Sequence, residues 1–392
     1  MLNIAPWPQF SDDEILAVED VLKSGKVNFW TGDLCRQFEQ KFADYTGRKY
    51  AIALANGSLA LELALIAYNI GEGDEVIVTC RSFVASASCI IMRGATPVFA
   101  DVDLNSQNIC PTSVKAKITS KTKAIIAVHL AGLPCDMNAL NEIATEHNLV
   151  LIEDCAQAHG ASYKGKKVGS LGHIAAYSFC QDKIMTTAGE GGMLLTDDES
   201  IFKKCWSYKE HGKSYDLAFA KTHGTGFNWC IESFGTNWRM TELQAAVGLK
   251  QLEKLNSWVN KRRENAEKYN AAFKDISCVR LPDISHDIYH SYYKYYFFII
   301  PEKLKNGYTR NLILEELHNQ GVMCGVGSCG ELYLEKAFKD YFIALNNKAQ
   351  EVLPNARVLS ETSIMLTVHP TMTDKNIEDT INICLDVLKS AI

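Results

Sequence analysis

Through its first two-thirds the chain alternates short β-branched runs with helical stretches, and that alternation constrains the fold more than any other feature. The runs Tyr50–Leu54, Glu75–Val78, Pro97–Asp101, Ala124–Val128, Leu149–Glu153, Ala175–Phe179 and Met193–Thr196 predict strands. Between them, Leu59–Tyr68 and Met137–His147 place apolar residues near every 3.6 positions, the period of a helix with one buried face. Strand–helix alternation yields a mostly parallel sheet covered on both faces. The expected architecture is α/β, a large domain with a mostly parallel seven-stranded sheet flanked by helices. Ligands of such sheets sit beyond the carboxyl ends of the strands. The residues just after each run are therefore the first place to look for chemistry.

A long helical pattern starts near Thr241 and runs through Leu243, Ala246, Leu249, Leu252 and Leu255 into the charged stretch Lys261–Glu264. It reads as the connection to a smaller α/β domain. That domain holds a strand-like run, Tyr292–Ile300, a helix around Leu312–Asn319 and a final helix near Ile377–Leu388. The expected division is residues 1–255 and 256–392, packed closely, because no Pro/Gly/Ser-rich linker separates them.

Composition removes several function classes. A net charge of −6 over 392 residues gives no basic face for a nucleic-acid backbone. The longest apolar stretch, Ala51–Ile70, is broken by Asn56, Ser58 and Glu62, so no membrane span is expected. The N-terminus has no basic segment leading into an apolar one and does not read as a signal peptide. Thirteen cysteines without a C-x-x-C pair argue against a disulfide framework or a structural zinc site, and free thiols fit a reducing cytoplasm.

Three motifs carry chemistry. In Ser178-Phe-Cys-Gln-Asp-Lys183, followed by Gly189-Glu-Gly-Gly192, a lysine stands between a buried strand and a glycine-rich turn. Burial disfavours an ammonium and makes the amine a nucleophile able to join an aldehyde. A lone lysine is ordinarily a surface residue, so the motif needs company. In Glu153-Asp-Cys-Ala-Gln157-Ala-His159, a buried strand ends in two acids. A carboxylate there is costly unless a cation meets it, and the pyridinium nitrogen of pyridoxal phosphate (PLP) is one such cation. Asp154 is read equally well as a helix cap. Gln157 suits a ring hydroxyl, and His159 reads as a packed histidine. In Asn56-Gly-Ser58, a glycine and a hydroxyl open a helix, where free amides and the dipole favour a phosphate. Ser178 offers a second hydroxyl; both serines also read as ordinary caps or strand ends.

With these motifs in place the chain resembles the DegT/DnrJ/EryC1/StrS family of PLP-dependent sugar aminotransferases, of the fold type I group that includes aspartate aminotransferase. The landmarks occur in family order. They are Asn56-Gly-Ser58, Arg81-Ser-Phe83-Val-Ala, Asp101-Val-Asp103, His129-Leu-Ala-Gly-Leu-Pro134, Glu153-Asp-Cys-Ala-Gln157, Ser178–Lys183 with Gly189–Gly192, and Gly235-Thr-Asn237-Trp-Arg239. The resemblance implies PLP as cofactor, Lys183 as its Schiff-base lysine and proton shuttle, and Asp154 as partner of the pyridine nitrogen. It implies Gln157 at the ring oxygen, Phe83 stacked on the ring, and Gly57, Ser58 and Ser178 at the phosphate. It places Asn237 in a segment that reaches the neighbouring subunit's site, which implies a homodimer with shared active sites.

Relatives with histidine in place of the lysine act as dehydratases, and this chain keeps Lys183. The implied reaction moves an amino group from L-glutamate to a keto-sugar. Most relatives act on a nucleotide-linked sugar for lipopolysaccharide or other amino sugars, and a free keto-sugar acid such as an oxidised octulosonate is the alternative. A non-catalytic PLP- or sugar-binding regulator is disfavoured by the intact lysine, acid and glutamine. A nicotinamide dehydrogenase lacks its G-x-G-x-x-G after the first strand. The segment Gly325–Tyr333 departs from commoner members, as loop drift or as the wall of a different substrate pocket.

Overall fold

A computed structural model describes residues 2–220, 230–346 and 350–392. Two helices, α1 (Asp12–Ser24) and α2 (Leu34–Thr46), precede the sheet. The strands then follow as β1 (Tyr50–Leu54), β2 (Glu75–Thr79), β3 (Thr96–Ala100), β4 (Thr122–Val128) and β5 (Val150–Asp154). After a small ribbon, β6 (Ser162–Tyr163) and β7 (Lys166–Lys167), come β8 (Ile174–Ser178) and β9 (Gly192–Thr196). Helices α3 (Gly57–Ala67), α4 (Ala85–Met92), α5 (Pro111–Ala116) and α6 (Met137–Glu146) lie between strands, and α7 (Glu199–Lys209) and α8 (Tyr215–Ala218) follow them.

Seven strands form one sheet in the order β1-β9-β8-β5-β4-β2-β3. The inner pairs are parallel, whereas β9 runs antiparallel to both β8 and β1. This is the mostly parallel sheet that the alternation predicts. Side chains alternate between faces. Ile52, Val76, Ile126 and Ile152 join a buried cluster with α3 and α4. On the other face Ile77, Ile125 and Leu151 pack on α6, and Ala53, Tyr177 and Leu195 pack with Phe38 and Phe42 of α2.

The long helix is α9 (Glu242–Phe273), opened by a Thr241–Gln244 capping box. It runs unbroken through Leu255, and its far half buries Ala266, Tyr269 and Phe273 in the C-terminal cluster. There β10 (Val279–Arg280), β12 (Tyr295–Ile299), β13 (Cys324–Gly325) and β14 (Ser363–Leu366) form an antiparallel sheet, order β10-β12-β14-β13. The remaining strand, β11 (Ile288–Tyr289), pairs with β6. Helices α10 (Arg310–Asn319), α11 (Lys336–Asn346), α12 (Pro354–Thr362) and α13 (Asp374–Ser390) complete the region. Leu2 and Ile4 pack against the same cluster, so the two ends of the chain meet there.

The C-terminal region also grips the large sheet. Phe338 and Phe342 of α11 bury their rings on Phe99 of β3. Each buried ring contributes about 1.5–3 kcal/mol relative to exposure. Arg81, fully buried, donates from Nε to Gln107 Oε1 at 3.1 Å and from Nη2 to Ser363 Oγ at 3.0 Å, which ties the end of β2 to β14. No helix among the described residues is long and apolar enough to cross a membrane.

Candidate active site

A cavity of about 1,110 Å³ opens beyond the carboxyl ends of β5 and β8, beside the start of α3. Asn56 caps that helix, its Oδ1 accepting from the Leu59 amide at 3.0 Å. Helical structure therefore begins at Gly57, two residues before the apolar pattern suggests, and Asn56 rather than Ser58 is the cap. The first amides of a helix have no intrahelical acceptor, and Gly57 and Ser58 line the cavity. Gly57 is held close to β8: a Cβ there would lie 2.5 Å from Ser178 Cβ. Ser178, the last residue of β8, brings its hydroxyl to the same place.

Asp154 is the last residue of β5, one position further into the strand than the sequence suggests, and is not a helix cap. It is 4 % exposed on the cavity side. Ser86 Oγ donates to its Oδ2 at 2.7 Å and the Ala156 amide to Oδ1 at 3.1 Å. Burial raises its pKa above the ordinary aspartate value, and these two bonds and the Lys183 charge offset only part of that. Its neighbour Glu153 faces the other way. It accepts from His129 Nε2 and from the amides of Gly169, Leu171 and Gly172, at 2.7–3.0 Å. Burial pushes its pKa up, but the His129 hydrogen bond, the Gly172 amide and Arg48 more than offset it, so the net shift is downward.

Lys183 reaches the same cavity with its amine 3.8 Å from the Asp182 carboxylate and 4.9 Å from the centre of the Tyr293 ring. Its backbone is held from the chain's start: Trp7 Nε1 donates to Lys183 O at 2.8 Å. Gln157 Oε1 accepts from the Ala131 amide at 2.8 Å, which fixes the amide's orientation and leaves its NH₂ as the donor. Phe83 is 64 % exposed on the cavity wall, a placement suited to stacking on a ligand and not to core packing.

Seven of the eight residues singled out in the sequence thus share one cavity: Gly57, Ser58, Phe83, Asp154, Gln157, Ser178 and Lys183. Asn237 does not line it. Asn237 bridges to Glu210, and its Oδ1 accepts from the Arg239 amide at 3.3 Å. Arg239 pairs with Glu210 at 2.7 Å. His159 is buried against Tyr177 and Phe179, and burial pushes its pKa down to about 3. The divergent segment supplies Gly327, Ser328 and Cys329 to the wall. Sequence reasoning missed Ser86, which lies one position beyond the Arg81–Ala85 landmark, and Tyr293 and Lys294, for which the strand-like run gave no local signal.

The donor set fits PLP: an amine for an aldehyde, a buried acid short of a cation, an oriented amide donor and a helix start open to a phosphate. The comparisons agree. The model of the DegT/DnrJ/EryC1/StrS aminotransferase family matches residues 8–384. The GDP-perosamine synthase of Escherichia coli O157:H7 is 42% identical over 263 residues, 67% of this chain and 68% of that protein. The structure of an aminotransferase from Psychrobacter cryohalolentis superposes with a TM-score of 0.96 at 49% identity, covering 99% of each chain. The PLP form of a putative sugar aminotransferase from Streptococcus pneumoniae gives 0.86 at 26% identity, covering 100% of this chain and 99% of that one. The chain belongs to the DegT/DnrJ/EryC1/StrS aminotransferase family.

Proposed function

We propose, from that membership, that the chain is a PLP-dependent aminotransferase that moves an amino group from L-glutamate to a nucleotide-linked keto-sugar. The observation that carries this reading is the gathering of Lys183, the under-paired carboxylate of Asp154 and the open amides of α3 in one cavity. When bound, PLP supplies an electron sink for the charge left as a proton departs from the carbon bearing nitrogen. The protein's part is to hold, orient and shuttle. Lys183 holds the cofactor through its amine and, once released, carries the proton at the reacting carbon. Asp154 keeps the ring nitrogen protonated. Gln157 donates to the ring oxygen, and Phe83 stacks on the ring. Gly57, Ser58 and Ser178 hold the phosphate.

Asn237, off its own chain's cavity, is the residue a second copy would contribute, which makes the working unit a homodimer with shared sites. Residues 1–255 form the cofactor domain and 256–392 the smaller one. The GDP-perosamine synthase relative supports a nucleotide-linked acceptor, for an amino sugar of a cell-surface polysaccharide such as lipopolysaccharide. Cysteines without a C-x-x-C pair support a cytoplasmic setting.

The test is the ultraviolet–visible spectrum of the purified protein with PLP. A visible band is expected that L-glutamate bleaches and that borohydride fixes as an adduct on Lys183, located by mass spectrometry. Lys183→Ala removes the adduct and the transamination together. No band after added PLP, or full turnover by Lys183→Ala, would sink the reading.

A further inference from the structure

Behind Lys183 a second cavity, of about 120 Å³, adjoins the first and shares Asp182, Tyr293 and Lys294 with it. Its other walls include Trp7, Arg262 and His369. Arg262, on α9, is 1 % exposed. Its Nη1 donates to the carbonyls of Tyr293 and Tyr292, at 3.2 and 3.4 Å, and its guanidinium stacks 5.1 Å from the Trp7 ring centre. Its Nε and Nη2 have no hydrogen-bond partner among the described residues.

The charges around this junction do not balance. Lys183, Lys294 and Arg262 face Asp182, which accepts a hydrogen bond from the Tyr293 hydroxyl, and the Asp154 carboxyl is a second acid near Lys183 alone. Lys294 has no carboxylate within 4.0 Å among the described residues, and its amine lies 4.9 Å from the Tyr293 ring centre. Burial lowers its pKa below the ordinary lysine value; Asp182 opposes this, while Arg262 and Lys183 reinforce it. Burial also pushes His369 down to about 4, so that ring adds no charge at neutral pH. An excess of partly desolvated cations is costly until an anion joins them.

We infer that Lys294, backed by Arg262, forms a subsite beside Lys183 that receives the α-carboxylate of the amino donor. The inference rests on the aminotransferase reading and deepens it. An amino acid that brings its nitrogen to Lys183's place brings its α-carboxylate one bond from the reacting carbon. The cation that meets it must therefore stand next to Lys183 on the cavity wall. Lys294 stands there, on the segment leading into β12, away from the α3 amides that suit a phosphate. Lys336, another cation on the wall, is 89% accessible and already paired with Asp340.

The experiment follows loss of the visible band of the PLP-loaded enzyme against the concentration of L-glutamate and, separately, of L-isoglutamine, whose α-carboxylate is an uncharged amide. Wild type should need roughly ten- to hundredfold less glutamate than isoglutamine for half-bleaching. Lys294→Gln should raise the glutamate requirement by a similar factor and leave the isoglutamine requirement unchanged. Lys294→Arg should recover most of the loss. A merely structural role would shift both donors alike, and that outcome overturns the inference. So does a wild type that takes both donors equally well, a comparison that needs no variant. If glutamate fails to bleach wild type at all, the aminotransferase reading falls as well. If it bleaches wild type and Lys294→Gln identically, only the subsite falls.

Discussion

Glu153 and Asp154 are neighbours on β5, yet the two faces of the sheet treat them in opposite ways. On the far face Glu153 accepts from three backbone amides and His129, beside Arg48. On the cavity face Asp154 has one hydroxyl and one amide. Both are buried, so desolvation penalises both, but only Glu153 has partners enough to overcome it. A saturated acid has nothing left to offer a ligand. An acid left short of partners is one that a ligand can complete. The same logic disposes of a metal at Glu153. Its oxygens lie within 4.8 Å of ligand atoms of His129 and Cys155, but they already accept four donors, and His129 Nδ1 accepts from the Cys135 amide.

The comparison breaks or sharpens at four points. Asp154→Asn should cost the most in function, a loss of roughly 100- to 1,000-fold in the transamination rate, measured at saturating PLP. A near-normal rate would reassign the acid. Glu153→Gln should cost the most in stability, about 3 kcal/mol, because an amide NH₂ would face N–H donors. Chemical denaturation measures it, and the surviving folded enzyme should keep its rate.

The pH dependences of the cofactor-free protein should have opposite signs. Glu153's pKa is lowered on folding, so its contribution is present above the ordinary glutamate value and lost as pH falls through the folded one. Asp154's is raised, so its contribution is present below the ordinary aspartate value and lost as pH rises through the folded one. At neutral pH Asp154→Asn should therefore be no less stable than wild type, and parallel losses in both variants would end the contrast. The smallest effect is expected from Ser86→Ala. It removes one of Asp154's two partners and should slow transamination about fivefold, the equivalent of about 1 kcal/mol, while Ser86→Thr retains the hydroxyl and most of the rate.

How much of this was legible in the sequence follows the same division. The cavity face was readable because its parts are local: a strand end, then an acid, a lysine or a small residue. Hence Gly57, Ser58, Asp154, Gln157, Ser178 and Lys183 were found from short motifs, and Phe83 from its place in a landmark. The register of those parts was less legible. A side-chain cap at Asn56 starts α3 early, and pairing with β4 and β8 carries β5 through Asp154. What comes from afar left no mark. Tyr293 and Lys294 arrive on a segment over a hundred residues beyond Lys183, inside an apolar run that reads as core. Glu153's partners come from the β4 end and from the turn before β8, so the motif that pointed to Asp154 gave no sign that its neighbour is already satisfied.

The position of β9 bears on how the chain reaches this state. In the large sheet β1's one strand partner among the described residues is β9, with Tyr50 opposite Thr196, and α1 and α2 lie against α9, still later in the chain. These early elements must therefore wait for most of the large domain to be synthesised. Closing so long a loop delays the rewarding contacts, and topologies dominated by such pairings fold slowly. At synthesis rates of roughly 5–20 residues per second, β1 spends several seconds or more as an unpaired apolar strand. That interval is when a nascent chain of this kind is most open to aggregation and most in need of a chaperone.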